Sequence, residues 1–119
     1  MSTVVIVFAV LVALEHFYIM FLETIATSSK STSRVFGLSE EQLKTKHIAT
    51  LLKNQGVYNG LVAVLLLVAA WQQDLLWTQL LFGYVILAAL YGTFTSNPAI
   101  ILKQGGLAIV GLICSFIWA

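Results

Sequence analysis

Runs of apolar residues long enough to cross a lipid bilayer occupy most of this sequence, and no other feature restricts its possible folds so tightly. A helix needs about 20 residues, at about 1.5 Å each, to cross about 30 Å of hydrocarbon. Four stretches meet or approach that length: Val4 to Thr27, Asn54 to Trp71, Leu75 to Gly92 and Ala99 to Trp118. Within hydrocarbon the backbone must pair its own N–H and C=O groups, so each stretch is expected to be helical. Composition agrees, with 60% of the 119 residues hydrophobic and 9% charged, against about 25% charged in soluble domains. The expected fold is an all-α integral membrane protein, one domain over residues 1–119 forming a four-transmembrane-helix antiparallel bundle. A net charge of +1, from 6 basic and 5 acidic side chains, is too small to steer a polyanion and excludes nucleic acid as a partner. Cys114 is the one cysteine, so no disulfide framework or Cys-rich zinc site can form within the chain.

The links set the topology. Gln72, Gln73 and Asp74 join the second and third stretches, and Thr93 to Pro98 joins the third and fourth, so neighbours should run antiparallel. Asn97 and Pro98 suit the first turn of a fourth helix, and Trp71, Trp77 and Trp118 fall near span ends, where indoles anchor at the bilayer interface. The remaining link, residues 28–53, holds Lys30, Arg34, Lys44, Lys46 and Lys53, five of the six basic residues, against Glu40 and Glu41. Basic loops stay in the cytoplasm, which predicts a multi-pass protein of the cell membrane with both termini outside; Lys103 agrees. The first stretch lacks a basic leader and is interrupted by Glu15 and His16, so it reads as a span and not as a signal peptide. Ser39 to Gln42 fits a capping box. The helix it starts is expected to run on to Trp71, about 50 Å in all, so that helix two extends into the cytoplasm. Ser28, Ser29, Ser31, Thr32 and Ser33 read as a polar connector.

Charged groups within a span cost roughly 2.5 to 3.5 kcal/mol or more and normally face protein or water. Glu15, His16, Glu23 and Thr27 fall within about 120° of one helix face. Asn54, Gln55, Tyr58 and Asn59 span about 140° of the second helix, bordered by Gly56, Gly60 and Ala63 as a seam of small residues. Gln104, Ala108, Gly111 and Ser115 line up on the fourth stretch, and Tyr84, Ala88, Tyr91 and Thr95 on the third. Turned inward, these stripes make a polar pocket in which Glu15, His16, Glu23, Asn54, Gln55, Tyr58, Asn59 and Gln104 are the candidate ligand-binding or proton and cation site. Glu15 is the deeper carboxylate, and Glu23, about 12 Å further along, should be the better solvated. A buried carboxylate there would be neutralised by protonation or kept ionised by a cation or His16, which is how proton relays and ion sites are built. The competing role for Asn, Gln and Tyr is helix–helix glue. Gly56, Gly60, Gly105 and Gly106 read as packing residues, Cys114 as a small hydrophobe and His47 as a surface residue. No HExxH or ExxH spacing is present, so no metal is expected. Nor is there a nucleophilic triad, phosphate loop or dinucleotide motif, so no cofactor is expected either.

Glu15-His16-Phe17-Tyr18 with Phe21-Leu22-Glu23, then Asn54-Gln55-Gly56-Val57-Tyr58-Asn59-Gly60, then Gln104-Gly105-Gly106, resemble the uncharacterised bacterial membrane family called domain of unknown function 1304. The resemblance covers essentially the whole chain and implies a small four-span protein with a shared intramembrane polar site. In layout the chain is also similar to membrane-associated eicosanoid and glutathione enzymes, with Asn54 and Tyr58 at the positions concerned. Those enzymes hold glutathione with several arginines, whereas Arg34 is the only one here. Small multidrug transporters share the length and the span-one carboxylate, but not the basic loop. The expected function is binding or transport of a small polar solute, a cation or protons. The alternatives are a membrane-embedded enzyme or binding module for a lipophilic molecule, and a structural accessory protein. In every case the partner is the lipid bilayer, and a homo-oligomer would complete a site too large for so short a chain.

Overall fold

The computed structural model describes residues 1–95 and 100–119. All regular structure among them is helical: α1 (Thr3–Thr24), α2 (Lys30–Phe36), α3 (Glu40–Lys44), α4 (Lys46–Trp71), α5 (Leu75–Thr95) and α6 (Ile100–Ile117). Of these, α1, α4 and α5 are long and apolar enough to cross a bilayer. The protein is therefore a multi-pass membrane protein, but the expected four-span bundle is corrected to three candidate spans. The apolar part of α6, Ile101–Ile117, is about 26 Å long and falls short of about 30 Å of hydrocarbon. The predicted fourth span drew its length from Ala99 and from Trp118. Ala99 and the proposed Asn97-Pro98 start lie outside the described residues, and Trp118 follows the end of the helix. With three crossings, the argument that placed both termini on one side no longer holds for the C-terminus.

Two further corrections fall in the basic segment. The polar connector contains a helix, α2, with Ser29 as its N-cap and Gly37, at φ 68°, as its left-handed C-cap. The predicted capping box is present at Ser39 and Gln42, but the helix it opens ends at once. Thr45 takes φ −62° and ψ 132°, an extended conformation that separates α3 from α4. The expected continuous helix from Ser39 to Trp71 is thus two helices.

The chain divides into two compact units. The first comprises Met1–Glu15 and Val64–Ala119. Its core includes Val5, Ala9, Val12 and Ala13 of α1, Leu66 of α4, Phe82 and Val85 of α5 and Ala108 of α6. Gly111 makes room for the ring of Phe82, since a methyl group there would lie 2.8 Å from Phe82 Cζ and 3.0 Å from Phe8 Cβ. Gln79 donates to the Ser115 hydroxyl across 3.1 Å, and Thr93 Oγ1 accepts the Ile101 N–H at 2.9 Å. Between α4 and α5 the backbone closes a Schellman turn: Asp74 N–H bonds Ala69 O at 3.0 Å, Gln73 N–H bonds Ala70 O at 3.1 Å, and Gln73 sits at φ 56°. Asp74 then caps α5, its Oδ1 accepting the Trp77 N–H at 3.0 Å.

The second unit is His16–Ala63, containing the end of α1, all of α2 and α3, and the start of α4. Thr32 on α2 is fully buried, and its hydroxyl reaches the Leu22 carbonyl at 3.1 Å, a group that the end of α1 leaves without a helical partner, and the Ala26 carbonyl of the following turn at 2.6 Å. Gly56 and Gly60 lie where α4 meets α1: a methyl group on Gly56 would sit 2.5 Å from Thr24 Cγ2 and 3.1 Å from Glu23 Cβ. One on Gly60 would collide with the thioether of Met20.

Candidate functional site

The close approach permitted by Gly56 and Gly60 brings the last turns of α1 against the first half of α4, and the most buried carboxylate of the unit lies there. Glu23 is 0% exposed. Its Oε1 accepts a hydrogen bond from Asn59 Nδ2 at 2.6 Å, while Oε2 is buried with no hydrogen-bond partner among the described residues. Gln55, one turn before Asn59, brings its side chain toward the same carboxylate without closing a bond to Oε2. Thr27 donates to the Glu23 carbonyl at 2.8 Å and Thr24 to the Met20 carbonyl at 2.6 Å, which ties off the end of the helix around the acid.

This inverts the expected order of the two glutamates. Glu23 was expected to be the better solvated, but it is enclosed, whereas Glu15 is only partly buried. The reason is local: Ser28, Ser29, Ser31, Thr32 and Ser33 read as a polar connector, whereas they lead into α2, whose Thr32 hydroxyl bonds carbonyls at and just past the end of α1. His16 is buried at 5% exposure and belongs to the second unit, and Glu15 and Gln104 belong to the first.

Of the polar arc on α4, Asn59 is half-buried, while Asn54, Gln55 and Tyr58 are exposed, Tyr58 by 67%. The buried edge of this helix is Gly56, Gly60 and Ala63, so the arc turns inward only at Asn59. On α5 the expected inward stripe is exposed, with Tyr84 at 54% and Tyr91 at 71%, and the buried face is instead Thr78, Phe82, Val85 and Ala89. On α6 the predicted stripe does turn in: Ala108, Gly111 and Ser115 are buried and Gln104 is half-buried. Gly105 packs against Ala89, whose Cβ would be 3.2 Å from an added methyl, but Gly106 has open space around it. Sequence reasoning missed Gln79, whose amide inside an apolar run was the available signal for its bond to Ser115. It also missed Thr24 and Thr32, hydroxyls that bond the end of α1, whereas Thr27 was already on the polar face of the first stretch. Among the described residues no three His, Cys, Asp or Glu side chains are grouped to hold a metal ion.

Helices of spanning length, tight glycine contacts and a carboxylate enclosed between two of them define a small all-α multi-pass membrane protein with a buried polar site. Within that class, the chain belongs to the family described as "Protein of unknown function (DUF1304)", whose match covers residues 10–116, in agreement with the resemblance carried by the three sequence motifs. It is 54% identical over 118 residues, 98% of this chain and 99% of the relative, to the uncharacterized protein YpaA of Lactococcus lactis subsp. lactis (strain IL1403). No solved structure matches the chain.

Proposed function

We propose that this protein binds a proton or a small cation inside the membrane, as part of handling a small solute, with Glu23 as the binding group and Asn59 as its fixed amide partner. The supporting observation is the enclosed carboxylate, which has one oxygen held by Asn59 at 2.6 Å and the other buried without a hydrogen bond among the described residues. An ionised carboxylate left in that position carries a large desolvation cost, which a proton or a cation on Oε2 removes. Helix glue alone would be served better by an amide, which costs less to bury than a charge. His16, about two turns nearer the start of α1, carries the next ionisable group of that helix within the same unit.

The basic residues between 28 and 53 favour a cytoplasmic position for that segment, with the N-terminus outside. Glu23 then lies at the cytoplasmic end of α1, where protons and cations from the cytoplasm have the shortest way in. Glu23→Gln tests the assignment, because it keeps the shape and removes the charge. In nanodiscs the variant should insert and fold, while losing the Glu23 contribution to the carboxyl infrared absorption and the response of thermal stability to pH and to added monovalent and divalent cations expected of wild type. An unchanged response in Glu23→Gln removes the proton and cation reading.

A further inference from the structure

The cleft at the turn between α4 and α5 has no part in the Glu23 site and carries a separate chemistry. Leu65 and Val68 of α4 and Trp77 and Leu81 of α5 wall a space of about 290 Å³, with Gln72 and Asp74 at its mouth. From Asp74 to Leu81 the walls are apolar over about 10 Å, roughly a third of the hydrocarbon thickness. The volume lies at the low end of the roughly 300 to 1,000 Å³ of small-molecule sites, suited to a segment of one chain. Asp74 is the one charged side chain between Lys53 and Lys103. It is held rigidly: its Oδ1 accepts the Trp77 N–H at 3.0 Å, its carbonyl accepts the Thr78 hydroxyl at 2.8 Å and its N–H bonds Ala69 O at 3.0 Å. A fixed negative charge therefore stands at the polar end of an apolar slot, beside an indole that is 57% exposed.

We propose that this cleft seats an acyl chain of a bilayer lipid whose headgroup carries a primary ammonium, with the ammonium against Asp74 and the face of Trp77. The complement of the site is amphiphilic and cationic at one end. Walls without hydrogen-bonding groups accept hydrocarbon, the carboxylate attracts an ammonium and repels an anionic headgroup, and the indole adds a cation–π contact at the level where headgroups lie. The same unit contains an internal comparison. A second cleft of about 500 Å³, lined by Ile6, Val10, Leu67, Ala70, Trp71 and Gln73, has no charged side chain, and lipid there should show no preference of headgroup.

The test is native mass spectrometry of the protein released from nanodiscs containing equal phosphatidylethanolamine and phosphatidylglycerol. Wild type should retain phosphatidylethanolamine about two- to fivefold over phosphatidylglycerol, the effect of one partly exposed ion pair. Asp74→Asn should abolish that enrichment while keeping the fold, because asparagine caps a helix as well as aspartate does; circular dichroism and thermal unfolding check the fold. Val68→Trp, which fills the slot and leaves the charge, should also lose the enrichment. Equal retention of the two lipids by wild type, or enrichment that survives in Asp74→Asn, overturns the proposal. A stability gain from dodecylamine in detergent without phosphatidylethanolamine enrichment would also overturn it, making the ligand a soluble amphiphilic amine.

Discussion

Glu23 and Asn59 are separated by 36 positions in the chain and by 2.6 Å in space. Their bond is the contact that fixes the register of α1 against α4 in polar terms. Asn59→Leu removes the donor but leaves the acid enclosed, and it should destabilise the protein by about 1 to 3 kcal/mol, the cost of a buried polar group without its partner. Combining it with Glu23→Leu, which removes the acceptor, gives a double-mutant cycle: the double variant should be more stable than the two single losses added together, and additivity in thermal unfolding would mean that the two side chains do not interact. Both residues were legible in the sequence as polar groups within apolar runs. Their pairing was not, because Asn54, Gln55, Tyr58 and Asn59 are spread over about 140° of the helix, and only the position of Gly56 and Gly60 against Met20 and Thr24 selects Asn59. Depth along α1 was misjudged for a similar reason. The end of α1 beside Glu23 is tied down by Thr32, nine positions later in a segment rich in serine that reads as a polar connector.

Among the elements, periodicity and length served well where a helix has one apolar environment and poorly where capping decides. The starts of α3 and α5 follow from Ser39 and Asp74, side chains that accept from the backbone three residues on. The missed helix α2 had the same kind of signal, Ser29 before it and Gly37 after it, but Ser31, Thr32 and Ser33 inside it have modest helix propensity and hid the pattern. The break at Thr45 has no glycine or proline to announce it. The α1 and α4 contact makes a graded prediction. Gly56→Ala should cost more stability than Gly60→Ala, since the former meets Thr24 Cγ2 at 2.5 Å with Glu23 Cβ and the Met20 carbonyl close behind, whereas the latter meets only the Met20 side chain, which can swing aside. Thermal unfolding of the two variants in one detergent would settle the order. Equal losses, or a greater loss at Gly60, would place the tightest contact elsewhere on α4.

At the scale of the whole molecule the all-α membrane class was set by composition, and it survives the loss of the fourth span. An apolar run that takes in a residue past the end of its helix, as the fourth does at Trp118, looks longer than the helix it forms. The orientation remains testable with cysteines placed at exposed positions in a Cys114→Ala background, since Cys114 is itself buried. Thr3→Cys should be labelled by an impermeant maleimide in intact cells, and Ser28→Cys only after permeabilisation; labelling of Ser28→Cys alone in intact cells would reverse the orientation. The turn at Gln72 to Asp74 bears on how such a protein is made. A connection this short, closed by its own backbone hydrogen bonds, leaves α4 and α5 no freedom to enter the bilayer at separate times. The two are expected to pass from the ribosome to the membrane as one hairpin, and with residues 28–53 in the cytoplasm, as proposed above, Asp74 would be carried across at its tip. The insertion of that pair is then a single event in biogenesis, sensitive to the charge at the tip and to the spacing of the turn.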